Sequence, residues 1–153
     1  MEDLDFFSDL KGCKTSEGSI PASIMVTGQR PDLVLVDRRT SPSTVHLVEL
    51  RVPWDSTRNI EAARYRKVER YTSLVADIKA TGLKCHLHPL EIGARGFIDN
   101  RNCGTLAFLC HLAGFRRVRQ VQQTCSKLAM MGSKAVYNAR SSAEWSAGAL
   151  LKP

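Results

Sequence analysis

The sequence predicts an α/β domain, a small mixed β-sheet whose central hairpin is flanked by helices. Three observations carry that reading. Leu33-Val34-Leu35-Val36 is a strand-forming run introduced by Pro31-Asp32, and after a polar turn a second apolar run extends from Val45 to about Val52, which is the pattern of a hairpin. A helical pattern over residues 56–80 is followed by a third strand pattern, Lys84 to Ile92, so strand, strand, helix and strand follow in that order. The chain has 153 residues, 43% hydrophobic and 24% charged, enough to bury a core in one domain and far from the composition of a disordered chain.

Taken in order, residues 1–20 are acidic and Gly/Ser-flecked, and read as a flexible leader with one helical turn around Asp5-Phe6-Phe7. The folded domain is placed at residues 21–141, and a tail at 142–153. A turn centred between Thr40 and Ser41 pairs Val36 with Val45, Val34 with Leu47 and Asp32 with Glu49. Side chains alternate along a strand. One face therefore carries Asp32, Val34, Val36, Val45, Leu47, Glu49 and Arg51, and the other Leu33, Leu35, Val48, Leu50 and Val52. Both faces are mainly apolar, so the hairpin is expected to be covered on both sides.

Pro53-Trp54-Asp55 ends the second strand, with Trp54 expected in the core, and Ser56 is the N-cap of a helix that Gly82 stops. At about 100° per residue, Ile60, Tyr71, Leu74 and Ile78 form one apolar stripe, and Lys67 falls about 20° from its centre. A lysine in that position is anomalous. Residues 103–113 and 115–140 read as two further helices, and no internal repeat is found.

No stretch approaches about 18 uninterrupted apolar residues, and the N-terminus opens acidic where a targeting peptide opens basic. The chain reads as intracellular, nuclear or cytoplasmic, with no membrane partner. Five cysteines without a C-x-x-C pair signal neither disulfides nor a cysteine zinc site. His86 and His88 share a strand face but lack an evident third ligand. Charge is unevenly divided: residues 1–100 hold 14 Lys+Arg and 14 Asp+Glu, whereas residues 101–153 hold 8 Lys+Arg and only Glu144, a net +7. A one-sided basic segment points to a polyanion, most simply nucleic acid.

Two carboxylates side by side at a hairpin end need a cation, and oxygen-rich sites suit Mg²⁺ or Mn²⁺. A helix packed over the hairpin brings Lys67 toward the same layer, where its ammonium needs those carboxylates. Asp32 and Glu49 as metal ligands, with a nearby lysine to orient or deprotonate the nucleophile, are the parts of metal-assisted phosphodiester hydrolysis.

Pro31-Asp32 followed by Glu49-Leu50-Arg51 resembles the motif of the PD-(D/E)XK nucleases, with Arg51 in the slot of the final lysine. Gln29 to Val34, Val48 to Trp54, Arg66 to Tyr71 and Glu91 to Gly96 resemble the restriction-endonuclease-like domain attached to metazoan retroelement reverse transcriptases, over roughly residues 24–140. In that family the lysine can migrate to the helix, and Lys67 ahead of Tyr71 matches the migrated position. The resemblance implies a restriction-endonuclease-like fold and Mg²⁺-dependent DNA cleavage. It places Asp32, Glu49, Lys67 and Arg51 in the catalytic centre, and Gln29, Glu91 and Arg95 in shaping the site or contacting phosphate. Arg116, Arg117, Arg119 and Lys127 then offer the phosphate-tracking surface. DNA is the partner implied. RNA, a reverse transcriptase and a second copy of the chain stay open as partners. Arginine cannot serve as a general base, so the alternative is a catalytically impaired module that binds nucleic acid, or docks a partner protein, through its basic last third.

Overall fold

The structure, a computed structural model, describes residues 3–8 and 20–140. Among them the order of elements is β1 (Leu4–Ser8), β2 (Leu33–Asp37), β3 (Thr44–Arg51), α1 (Thr57–Ala80), β4 (Lys84–Glu91), α2 (Asn100–Leu112) and α3 (Val118–Ala139). The strands form one sheet in the spatial order β1-β2-β3-β4, with β1–β2 and β2–β3 antiparallel and β3–β4 parallel. A mixed sheet with a central hairpin is thus present, and its register sets Val36 against Val45 and Val34 against Leu47, as the turn predicts. The ladder ends at Leu33 with Val48, so Asp32 and Glu49, expected as a pair, lie one step beyond its last pair.

Both faces of the hairpin are covered. Val34, Val36, Val45 and Leu47 pack with Tyr71, Leu74 and Ile78 of α1, while Leu35 and Val48 meet Leu109 and Leu112 of α2 on the other side. Leu74 and Ile78 are no more than 2% exposed, and burying such a side chain contributes about 1.5–3 kcal/mol before entropy is counted. Ser56 caps α1, its Oγ accepting the Asn59 N–H at 3.2 Å, and Gly82 follows the helix with φ +89°, a conformation that disfavours any side chain.

Four expectations are corrected. Leu4–Ser8 is a strand rather than a helical turn: it pairs along the whole of β2, and Arg38 holds Asp5 at 2.7 Å. Trp54 is 65% exposed instead of lying in the core, because the chain has left the sheet after Arg51 before the indole is placed. The second helix begins at Asn100, earlier than residue 103, because Asp99 accepts the Asn102 N–H at 2.7 Å as its cap. The third begins at Val118 rather than 115, after a turn at Gly114 with φ +76°. The tail at 142–153 and most of the leader lie outside the described residues.

α1 carries the chain from the end of β3 back to the start of β4. The ends of β3 and β4 and the beginning of β2 therefore lie at one end of the sheet, which is where the candidate chemistry gathers.

Candidate active site

Asp32 is exposed at the mouth of β2. Its Oδ2 accepts the Leu50 N–H at 2.8 Å, so the carboxylate extends the hairpin past the last strand pair. Glu49 is 1% exposed, on β3 opposite Pro89 of β4. A carboxylate buried to this degree demands a cation, and Lys67 supplies it: Nζ donates to Glu49 Oε2 from α1. The other oxygen, Oε1, is buried and accepts no hydrogen bond. The lysine that is anomalous on the apolar stripe is therefore explained by the acid beneath it.

Tyr71 closes the layer under this pair. It is 1% exposed, its hydroxyl donates to the Arg30 carbonyl at 3.1 Å, and its ring lies below both Lys67 Nζ, at 5.7 Å, and the Arg70 guanidinium, at 5.4 Å. Burial pushes its pKa up, and the Glu49 carboxylate pushes it further, with a smaller contribution from Asp32. Tyr71 thus senses both acids and stays a neutral phenol.

Arg51 is half-buried at the end of β3, facing Glu91 across the parallel ladder. Glu91 is 2% exposed and belongs to a second polar cluster: Arg64 Nη1 reaches its Oε2 at 3.2 Å, and Asn102 Oδ1 accepts its backbone N–H at 3.0 Å. Burial raises the Glu91 pKa, against the pull of Arg64. A cleft of about 320 Å³ opens beside this cluster, lined by Glu61, Arg64, Glu91, Phe97, Asp99 and Arg101 among others. Arg64 is a functional candidate that sequence reasoning missed. Its spacing was legible, since Arg64, Lys67 and Tyr71 fall at i, i+3 and i+7 on one face of α1.

Gln29 is half-buried, with its Oε1 buried and without a hydrogen-bond partner. Arg95 lies in the loop after β4, at the same end of the sheet. Its backbone N–H and its Nε both donate to Asp55 Oδ2 at 2.9 Å, and its guanidinium lies over the Trp54 ring at 5.8 Å. Gly93 makes this pairing possible, because a Cβ there would run into Asp55 Oδ1. Arg116, Arg117 and Arg119 stand exposed at the start of α3 around an open depression of about 610 Å³, and Lys127 is exposed further along that helix. Residues 101–140 contain no acidic side chain.

The donor set can be tested against a divalent cation. An orphaned buried oxygen, Glu49 Oε1, and the exposed Asp32 carboxylate, bonded to the Leu50 amide one residue further along β3, fit a hard ion such as Mg²⁺, which keeps several waters and takes only one or two protein carboxylates. No group of three or more His, Cys, Asp or Glu among the described residues is arranged to hold a metal. That applies also to the histidines, although the structure adds a third. His46 on β3 stacks on His86 and bonds His88 through Nδ1 and Nε2 at 3.0 Å, with Phe108 of α2 against His46 and His88. The rings pack on one another instead of converging on a point. The four cysteines among the described residues are unpaired by disulfides, and none of the described helices is long and apolar enough to cross a membrane. No family model, no curated protein and no solved structure matches this chain.

Proposed function

We propose that the chain is a nuclease domain of the restriction-endonuclease-like, PD-(D/E)XK kind that hydrolyses DNA phosphodiester bonds with Mg²⁺ or Mn²⁺. The observation that carries the reading is the meeting of Lys67 with Glu49, one residue before the Leu50 amide that Asp32 holds. A purely structural lysine would be expected to extend to solvent from the rim of its helix, whereas this one reaches inward to a strand-borne acid at the open end of the sheet.

Asp32 and Glu49 would hold the metal, which when bound supplies charge neutralisation at phosphate and a more acidic water. Lys67 holds the Glu49 carboxylate in a fixed orientation and presents an ammonium at the edge where a nucleophile would be aligned. Arg51, planar and permanently cationic, suits a contact with the scissile phosphate and not proton abstraction. Tyr71 and the Arg30 carbonyl fix the floor beneath these groups. DNA is the proposed partner, and a reverse transcriptase or a second copy is the proposed protein partner that the family resemblance suggests.

A second reading has its own support. The described part of the basic segment pairs none of its seven arginines and lysines with an acid of its own stretch, which favours a domain that binds nucleic acid and no longer cuts it. Nicking of supercoiled plasmid with Mg²⁺ or Mn²⁺, by the parent and by Asp32→Ala, Glu49→Gln and Lys67→Arg, separates the two. Metal-dependent nicking that all three variants lose supports the nuclease. An inert parent whose DNA binding is intact and unchanged in the variants overturns it in favour of the binding module.

A further inference from the structure

Among the described residues, Trp54 and Tyr137 are the aromatic pair that shares one cavity. They are 65% and 73% exposed, and both line a groove of about 510 Å³ between the β3–α1 connection and the last turns of α3. The size lies in the range of ligand pockets, about 300–1,000 Å³. Val52, Leu128 and Val136 extend its apolar surface, and Arg140 stands in its wall. Among the described residues no acidic side chain lines it. The Arg95 guanidinium lies over the Trp54 ring, and the small residues Ala129, Gly132 and Ser133 leave the helix side low enough for a flat ring to approach.

The groove is held in place. Ser126 Oγ donates to the Gly96 carbonyl at 2.6 Å, and at Gly96, whose φ is +85°, a Cβ would meet Ser126 Oγ at 2.5 Å and its carbonyl oxygen at 2.8 Å. The glycine thereby lets α3 lie directly on the loop that follows β4. That loop belongs to the same end of the sheet as Asp32 and Glu49.

We propose that this groove binds unpaired bases of a single-stranded nucleic acid, with Trp54 and Tyr137 as stacking surfaces and Arg95 and Arg140 meeting the flanking phosphates. Aromatic faces flanked by Arg140 and by Arg95, whose Nε is held by Asp55 while 70% of its side chain stays exposed, match a polyanion whose repeating unit is a flat ring. An apolar peptide would use the same hydrophobic wall but gains nothing from that charge, and a closed duplex offers no ring face to stack. The inference rests on the nuclease reading only in giving the site its purpose: it names a strand with unpaired bases near the cut as the preferred substrate.

The test measures binding of the full chain to an oligothymidylate, to an abasic oligomer of equal length and to duplex DNA, for the parent, Trp54→Ala, Trp54→Phe and Tyr137→Ala. Trp54→Ala is expected to weaken oligothymidylate binding about five- to a hundred-fold, to leave abasic and duplex binding unchanged, and to be rescued by Trp54→Phe. Equal oligothymidylate binding by parent and Trp54→Ala overturns the proposal, as does a loss that extends equally to the abasic strand. A parent with no affinity for the oligothymidylate overturns it too. Because binding is measured without metal, failure here is distinct from failure of nicking, and thermal melts of the variants separate misfolding from lost stacking.

Discussion

Lys67 on α1 and Glu49 on β3 form a buried ion pair, their side chains 16% and 0% exposed, across the layer that joins helix to sheet. Breaking such a pair strands a carboxylate in an apolar layer. Lys67→Ala is therefore expected to destabilise the domain by about 3–5 kcal/mol, whereas Lys67→Met combined with Glu49→Gln costs far less because no charge remains. Urea denaturation compares them. On the nuclease reading both variants lose nicking, so stability and cleavage part company in the double variant.

On the nuclease reading, Arg51 occupies the end of β3 where a proton acceptor would be of use. Arg51→Lys is expected to raise metal-dependent nicking by about ten- to a hundred-fold if the slot is catalytic. An unchanged rate would assign the full role to Lys67.

His46 and His88 predict an acid-sensitive fold. Burial, and after it the neighbouring His46 and His86, pulls the His88 pKa down to about 4, and burial with His86 also lowers that of His46, opposed by Asp37. A depressed histidine binds fewer protons folded than unfolded, so stability rises with pH between about 4 and about 6.5 and is lost on acidification through that window. Melting temperatures at about pH 5 and about pH 7.5 should differ in the parent and converge in His46→Gln/His88→Gln.

Gly93 allows Asp55 to grip Arg95. Gly93→Ala is expected to cost about 1–3 kcal/mol through the clash and to weaken single-strand binding by displacing Arg95 from Trp54. Differential scanning calorimetry and the oligothymidylate titration check the two effects.

If Arg116, Arg117 and Arg119 track phosphates, replacing all three with alanine reduces the slope of log affinity against log salt by about 2–3 for duplex DNA, at about 0.9 per phosphate contact. The salt dependence of binding, more than its strength at one salt concentration, is the quantity to measure.

Much of this geometry was legible because local rules and tertiary demands agree. The turn sets the hairpin register, Ser56 and Gly82 bound α1, and Lys67 is out of place until Glu49 is found beneath it. What escaped depends on partners distant in sequence. β1 is short, sits in an acidic stretch, and becomes a strand only by pairing with β2. His46 meets His86 and His88 through a parallel register that no turn fixes. Trp54 looks like core from its neighbours Val52 and Pro53, yet the exit of the chain from the sheet decides its exposure.

The bond from Leu50 to Asp32 has a consequence of its own. The open end of the hairpin is fastened by a side chain, so whatever draws that carboxylate aside also unfastens the backbone. Solvent exchange at the single Leu50 amide would then quicken while the amides deeper in the strand stay slow. The fraying of one strand end becomes a built-in gauge of what Asp32 is holding.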